Sequence, residues 1–296
     1  MARLAAVATP ARRTSTPPAG RIVGRLIRFA FLGFWAVLCL APLVLVISTA
    51  LRDPTANTGN PFDLFASIRP QNFIDAWTLG NFGHYFVNTV VIVIPTVVGV
   101  LILSTMSGYA FARFEFPGRN ALFYLFLLGL MVPFFALMIP LFYNLRDYGL
   151  LDTPWAVILP MVAGASGTGL PLGVFLMRAF FLDLPNELGD AARVDGAGEW
   201  AVFRFVMVPL ALPGSAALAI LTFLSAWNNF LLPLIYTPSE DHRTLATGLL
   251  IFTGGRTQSL ELAAAASLIM VAPVVVFFLL FQRQFVNGLT AGAVKG

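Results

Sequence analysis

Long stretches without a single charged side chain dominate this sequence. Six of them exceed 20 residues, at positions 29–51, 76–112, 120–145, 153–177, 205–239 and 262–282. A helix needs about 20 apolar residues to cross about 30 Å of hydrocarbon, so each stretch is long enough to cross a membrane once. The period-two alternation typical of a membrane β-barrel is absent from these runs. The sequence therefore predicts an all-α polytopic membrane protein with six transmembrane helices.

The overall composition agrees with this prediction. The 296 residues are 58% hydrophobic and only 11% charged, whereas a soluble domain carries about 25% charged residues. So few charges cannot cover a surface that faces water. The composition therefore excludes a soluble globular enzyme.

The distribution of basic residues predicts the orientation of the chain in the membrane. With the N-terminus in the cytoplasm, 13 basic residues lie inside and 5 outside, as the positive-inside rule requires. Both termini are then cytoplasmic. The basic residues are dispersed over several segments, so no nucleic-acid partner is expected. The predicted organisation is a disordered basic tail at 1–27, a six-helix transmembrane domain at 28–283 and a cytoplasmic C-terminal tail at 284–296.

Several kinds of chemistry have no residues to support them. The only lysine is Lys295, and no phosphate-binding G-x-x-x-x-G-K-[ST] motif occurs, so the chain is not expected to hydrolyse nucleotide itself. The six stretches contain no buried charges, which ion-coupled carriers usually need. His84 and His242 lack metal-ligand spacing. We expect no catalytic residue and no metal site, and a permease driven by a separate energy source.

The segment between the fourth and fifth stretches is unusually charged. Residues 178–204 carry eight charged side chains, more than a simple connection needs. Glu187 and Asp190 favour the positive start of a helix, and Gly196 is placed to end it in the left-handed conformation that glycine adopts freely. Pro185 suits the first helical position. We therefore predict a short helix on the cytoplasmic side that begins at Pro185 and is ended by Gly196.

The run Asp190-Ala191-Ala192-Arg193-Val194-Asp195-Gly196-Ala197 resembles the signature loop of ABC-importer permeases, in which EAA is followed by three further residues and then a glycine. Asp190 stands where the family usually has glutamate, which preserves the charge. The resemblance implies a coupling helix, within a coupling loop at 182–208, that docks into a cleft of an ATPase subunit. The residues implied in this contact are Glu187, Asp190, Ala191, Ala192, Asp195, Gly196 and Ala197.

Two further segments resemble carbohydrate-importer permeases of the maltose type, and specifically the smaller six-helix partner of the permease heterodimer. They are Trp227-Asn228-Asn229-Phe230 and the C-terminal residues 284–296. The resemblance implies a bacterial inner-membrane protein whose partners are a second permease, an ATPase dimer and an extracytoplasmic solute-binding protein. ATP and Mg would be bound by the ATPase and no cofactor by this chain. The tail residues implied in a second ATPase contact are Leu289, Thr290, Gly292 and Lys295.

The solute itself is less constrained by the sequence. We expect a sugar or oligosaccharide, with a polyol or glycerol-phosphate-like solute as an alternative and a secondary carrier acting alone as a different class. Polar residues within the spans are the candidates for solute contact, and an aromatic neighbour can stack on a sugar ring. The candidates are Asn88, Trp227, Asn228 and Asn229.

Overall fold

The computed structural model describes residues 19–54, 63–254 and 259–293. Among these residues the regular structure is helical throughout and no strand occurs. The α-helices are α1 (Ala19–Ala50), α2 (Gln71–Leu79), α3 (Phe82–Arg113), α4 (Arg119–Leu128), α5 (Phe134–Asp147), α6 (Trp155–Ala163), α7 (Leu170–Asp183), α8 (Glu187–Val194), α9 (Glu199–Ala201), α10 (Val208–Leu210), α11 (Leu212–Trp227), α12 (Leu231–Tyr236), α13 (Leu245–Gly248), α14 (Leu250–Thr253) and α15 (Leu260–Ala293), with a π-helical turn at Val202–Met207 and a 3-10 turn at Glu240–His242. The all-helical prediction is confirmed for this part of the chain.

Three helices of the described chain are long and apolar enough to cross a membrane: Gly24–Ala50 within α1, Phe82–Arg113, and Leu260–Gln282 within α15. They coincide with the first, second and sixth uncharged stretches of the sequence. A fourth crossing results if α11 is joined to the continuous helix Glu199–Leu210, from which it is bent by 71°. Six crossings therefore remain a prediction.

Each of the three remaining uncharged stretches forms helices separated by a break. The breaks lie at 129–133 between α4 and α5, at 164–169 between α6 and α7, and at 228–230 between α11 and α12. Glycine permits the second break, because Gly164 and Gly169 have φ angles of +108° and +104°, a conformation costly for any residue with a Cβ.

α3 is the central helix, and its two halves belong to two different hydrophobic clusters. Its first half contributes Phe82 and Tyr85 to a cluster that includes residues of α6, α12 and α15. Its second half contributes Val100 and Tyr109 to a cluster with α7, the π-helical turn and α11. The second cluster lies beside α8 and is therefore the one that positions the charged loop.

Close contact between α3 and α7 depends on a glycine. A Cβ on Gly108 would lie 2.7 Å from the Met177 Cβ and 2.9 Å from the Arg178 backbone nitrogen, so only glycine lets the backbones approach this closely. Small residues at helix interfaces have this role in membrane proteins. The pair α3–α7 is therefore packed with little room to slide.

Candidate functional site

α8 is a compact helix of eight residues, Glu187–Val194, in the charged loop. Gly196 follows it with a φ of +88°, the left-handed conformation that the sequence predicts. The Ala197 N–H donates to the Ala192 carbonyl at 2.9 Å and the Gly196 N–H to the Arg193 carbonyl at 3.0 Å. This pair of bonds is a Schellman cap, which satisfies carbonyls left free at a helix end.

One face of α8 packs on the protein. Gly189 is buried, and a Cβ there would lie 3.0 Å from the Met207 Cε and 3.6 Å from the Val202 Cγ1. Ala192 and Ala197 are half-buried against the cluster that contains Met207. The glycine within the helix thus coincides with the closest approach to the π-helical turn.

The opposite face of α8 is open to its surroundings. Leu188 is 40% exposed and Val194 is 87% exposed, so apolar side chains stand on a surface that otherwise carries carboxylates. The residues predicted to contact an ATPase divide between the two faces. Ala192 and Ala197 lie toward the protein, whereas the exposed members are Glu187, Asp190, Ala191, Asp195 and Gly196.

Arg193 joins α8 to the helix that follows. Its Nε donates to the Glu199 Oε1 at 2.7 Å, and its Nη1 donates to the Asp190 Oδ1 at 2.8 Å. The hydrogen bond from Arg193 lowers the pKa of Glu199, and the same bond raises the pKa of Arg193. Both groups therefore stay ionised near neutral pH. Since the pair is largely exposed, it fixes geometry more than it adds stability.

Arg113, the last residue of α3, holds the beginning of the same loop. Its Nη2 donates to the carbonyls of Phe181 and Leu184, each at 2.7 Å, and its Nη1 donates to the Asn186 side-chain oxygen. In the sequence, Arg113 is recognisable only as one of the cytoplasmic basic residues. Its position, a basic residue at the C-terminus of a long helix, is the sequence feature that could have indicated a structural role. Its partners could not be inferred, because they lie 68, 71 and 73 residues further along the chain.

The helix Glu199–Leu210 turns sharply into α11, with an angle of 71° between them. We call the helix Glu199–Leu210 together with this bend the elbow. It includes the π-helical turn Val202–Met207, an irregularity that is frequent at functional sites. Pro209 and Pro213 flank the bend, and proline lacks the N–H that would continue the helical bonds. The connection from α8 to α11 therefore contains a sharp bend.

A second site lies where the interrupted helices meet. A cavity of about 400 Å³ is lined by residues from all three breaks. Discontinuous helices leave backbone groups free at their ends, and in transporters such breaks line solute sites. The lining residues are Val132, Pro133, Phe134, Phe135, Ala165, Ser166, Gly167, Asn229, Leu231 and Leu232.

Few polar side chains reach this cavity. The Asn229 Oδ1 accepts a hydrogen bond from the Leu232 N–H, in the first turn of α12, at 3.0 Å. The side-chain nitrogen of Asn229 makes no bond to this end of α12. The Ser166 hydroxyl lies 3.4 Å from the Thr168 hydroxyl and 3.4 Å from the Ser225 hydroxyl. An apolar cavity with a small number of placed hydroxyl and amide groups is typical of a site for a neutral polar ligand.

The other residues predicted for the solute pathway have structural contacts. Trp227 is 3% exposed and donates from Nε1 to the Met270 carbonyl at 3.0 Å, so it joins α11 to α15. Asn88 donates to the carbonyls of Asp241 and Arg243 at 2.7 and 2.9 Å, which anchors the 237–244 loop on α3. Asn228 is exposed and donates to the Leu224 carbonyl of its own helix at 2.9 Å. Of the four candidates only Asn229 lines the cavity.

The predicted tail contacts lie at the end of the chain. Leu289, Thr290 and Gly292 belong to α15, whose backbone is helical to Ala293. Lys295 lies outside the described residues. The last helix thus continues beyond residue 283, where the transmembrane domain was predicted to end.

A family of known proteins matches the larger part of this chain. Residues 100–290 match the family model described as "Binding-protein-dependent transport system inner membrane component". This region includes α8, the elbow and all three breaks.

Two relatives are similar over nearly their whole length. The chain is 36% identical over 271 residues to the permease protein of the diacetylchitobiose uptake system of Streptomyces coelicolor, with 91% of this chain and 88% of the relative covered. It is 41% identical over 274 residues to the permease protein of the arabinooligosaccharides transport system of Halalkalibacterium halodurans, with 91% and 95% covered.

A solved structure has the same fold. The crystal structure of a bacterial ABC transporter involved in the import of the acidic polysaccharide alginate superimposes with a TM-score of 0.77, at 22% identity, with 94% of this chain and 100% of that chain covered. The overall helical arrangement described above thus has an experimental counterpart at the level of the fold.

Proposed function

This chain belongs to the family of inner membrane components of binding-protein-dependent transport systems, and from that premise we propose that it is the permease subunit of an ATP-binding-cassette importer for a sugar or oligosaccharide. The observation that carries the proposal is the similarity, over nine-tenths of the chain, to permease proteins named for oligosaccharide uptake. The family is one of transport permeases, so the chain itself is not an enzyme. ATP hydrolysis would take place on a partner.

The proposed arrangement in the membrane has six crossings. α1, α3 and α15 cross unbroken, whereas α4–α5, α6–α7 and α11–α12 each cross as an interrupted pair. The number of uncharged stretches supports this count, and the excess of basic residues on one side supports cytoplasmic termini. The site of action is then the bacterial cytoplasmic membrane.

We assign the coupling role to the exposed face of α8. Its partner would be one subunit of an ATPase dimer, and the complete importer would contain a second permease and an extracytoplasmic solute-binding protein. The exposed Val194 and the surrounding carboxylates offer a mixed apolar and acidic contact surface. A docked helix that is fixed by Arg193 to the elbow can pass the closure of the ATPases into α11. The C-terminal residues Leu289–Gly292 and Lys295 would make a second contact with the ATPases.

The proposed solute path includes the cavity at the three breaks. When a sugar enters such a cavity, its hydroxyls lose their hydrogen bonds to water. They must form new ones to amides, hydroxyls and free backbone groups of the protein. Asn229 and Ser166 offer such groups, and Phe134 and Phe135 provide apolar faces on which a sugar ring can pack. Alternating access would open this cavity first to one side of the membrane and then to the other.

The direct test is transport by the assembled complex. The chain is co-expressed with a candidate second permease and ATPase, reconstituted in proteoliposomes, and supplied with the solute-binding protein loaded with a labelled oligosaccharide. We expect saccharide uptake that requires ATP. Uptake that persists without the ATPase would instead indicate a secondary carrier, and transport of glycerol phosphate in preference to saccharides would contradict the substrate class.

Adjacent asparagines provide a matched test of the solute path. Asn229→Ala removes an amide from the cavity, whereas Asn228→Ala removes an exposed amide that bonds only to its own helix. We expect the apparent KM for saccharide uptake to rise about fivefold or more in Asn229→Ala, the effect of losing a hydrogen bond of about 1 kcal/mol, and to change little in Asn228→Ala. Equal effects of the two substitutions would remove Asn229 from the solute path.

A further inference from the structure

The charged loop is attached to the rest of the protein at both of its ends. At its C-terminal end, Arg193 and the contact between Gly189 and Met207 hold α8 to the elbow that leads into α11. At its N-terminal end, Arg113 holds the residues just before α8 to α3. The second attachment has no place in a mechanism that passes motion only through α11.

Arg113 is suited to this attachment by its position and its fork of donors. The last carbonyls of a helix have no partner within the helix, and a cation near a helix C-terminus interacts favourably with the helix dipole. Arg113 supplies α7 with hydrogen-bond donors for its last carbonyls and with a cation at its C-terminus. Its Nη2 donates to the carbonyls of Phe181 and Leu184, and its Nη1 donates to the side chain of Asn186, directly before α8. One guanidinium thus joins the end of α3, the end of α7 and the start of α8.

α7 connects this junction to the solute cavity. It begins at Leu170, directly after the break that contributes Ser166 and Gly167 to the cavity, and it ends at Asp183, next to the carbonyls that Arg113 holds. Its tight packing on α3 at Gly108 makes the two helices move together. Arg178 adds a further link, since its Nε donates to the Phe111 carbonyl at 3.3 Å and its guanidinium lies 4.1 Å from the centre of the Phe123 ring.

We infer that Arg113 is a positioning residue for transport, through which displacement of α8 moves the α3–α7 pair as well as α11. This inference rests on the proposed function, because it assumes that α8 receives the motion of an ATPase. The consequence is that two of the three breaks that line the cavity, 164–169 before α7 and 228–230 after α11, are driven by one helix.

The test compares Arg113→Gln with Arg119→Gln in the reconstituted importer. Arg119 is a half-buried arginine at the start of α4, whose Nη1 donates only to the nearby Phe114 carbonyl, at 3.1 Å. The quantity measured is the number of saccharide molecules imported per ATP hydrolysed. We expect this ratio to fall about fivefold or more in Arg113→Gln, since coupling free energies of about 1–3 kcal/mol correspond to about 5–150-fold. We expect it to be unchanged in Arg119→Gln.

The ratio distinguishes positioning from simple support of the fold, because a structural defect lowers the amount of assembled complex without changing the stoichiometry of the complex that remains. Arg113→Lys should restore the ratio partly, as one ammonium keeps the charge but not the planar fork. If Arg113→Gln fails to assemble, Asn186→Ala removes only the link to α8 and should lower the ratio in the same direction. An unchanged ratio in the variant that assembles overturns the inference, whereas wild-type protein that fails to import any saccharide overturns the proposed function.

Discussion

Replacement of Gly196 by glutamate is expected to reduce saccharide uptake by at least about tenfold, because it alters the end of α8 at its exposed surface. The φ of +88° is left-handed, and a residue with a Cβ pays roughly 1–2 kcal/mol in that region. Relief of this strain requires the Schellman cap to open, which frees the carbonyls of Ala192 and Arg193. The added charge also lies where an ATPase would dock, and the few residues that dominate an interface cost about 2 kcal/mol or more when they are altered.

Gly198 gives this experiment a close control. A Cβ at either glycine meets no atom within 4 Å, so neither substitution creates a clash, but Gly198 has a φ of −71°, which any residue adopts. Gly198→Ala should therefore transport normally, while Gly196→Ala should lose part of the activity through backbone strain alone. ATP-dependent uptake and stimulation of the ATPase by the loaded binding protein measure the effect. Normal stimulation in Gly196→Glu would show that α8 does not carry the coupling.

Substitution of Gly108 by alanine is expected to cause the largest loss of stability among single-methyl changes in α3. The new Cβ would meet the Met177 Cβ at 2.7 Å and the Arg178 backbone nitrogen at 2.9 Å, and a backbone atom cannot rotate away. The helices must separate, at a cost near the upper end of the about 1–3 kcal/mol typical of overpacking. This cost exceeds the gain of about 1 kcal/mol in helix propensity.

Thermal unfolding of the purified protein in detergent measures this effect. Gly83→Ala is the control in the same helix, because its Cβ would lie 3.6 Å from the Trp77 Cζ2, an ordinary van der Waals contact. We expect the Tm to fall clearly in Gly108→Ala and to stay near the wild-type value, or to rise slightly, in Gly83→Ala. Equal Tm values would mean that α3 and α7 tolerate separation, and the tight α3–α7 pair on which the role of Arg113 depends would have no support.

The features that the sequence predicts best are those set by composition and by single-residue conformation. Charge-free stretches identify the apolar helices because the hydrocarbon excludes charges over their whole length. Gly196 is predictable because its left-handed conformation depends on one residue type. The short helix at Glu187–Val194 follows from its acidic start and its glycine end, and it begins two residues after Pro185, where the sequence predicts its start.

Features that depend on distant residues were not predictable. The interruption of three apolar stretches is decided partly by Gly164 and Gly169, yet glycine and proline occur in many membrane helices that continue through them. Asn88, Trp227, Asn228 and Asn229 look alike as polar or amphipathic groups in apolar surroundings. Only the packing reveals that Trp227 bonds the Met270 carbonyl and that Asn229 lines the cavity. Arg113 acquires its partners from residues 68 to 73 positions away.

The convergence of three helix breaks has a consequence for how solute selectivity evolves. Main-chain amides and carbonyls at the breaks are supplied by every residue type, so point mutations neither create nor remove them easily. Under the proposed function, a solute cavity that presents such groups beside apolar side chains would accept hydroxylated molecules as a class and discriminate weakly between stereoisomers. Divergence toward a new saccharide would then proceed through the proposed solute-binding protein, while the membrane passage would be inherited almost unaltered.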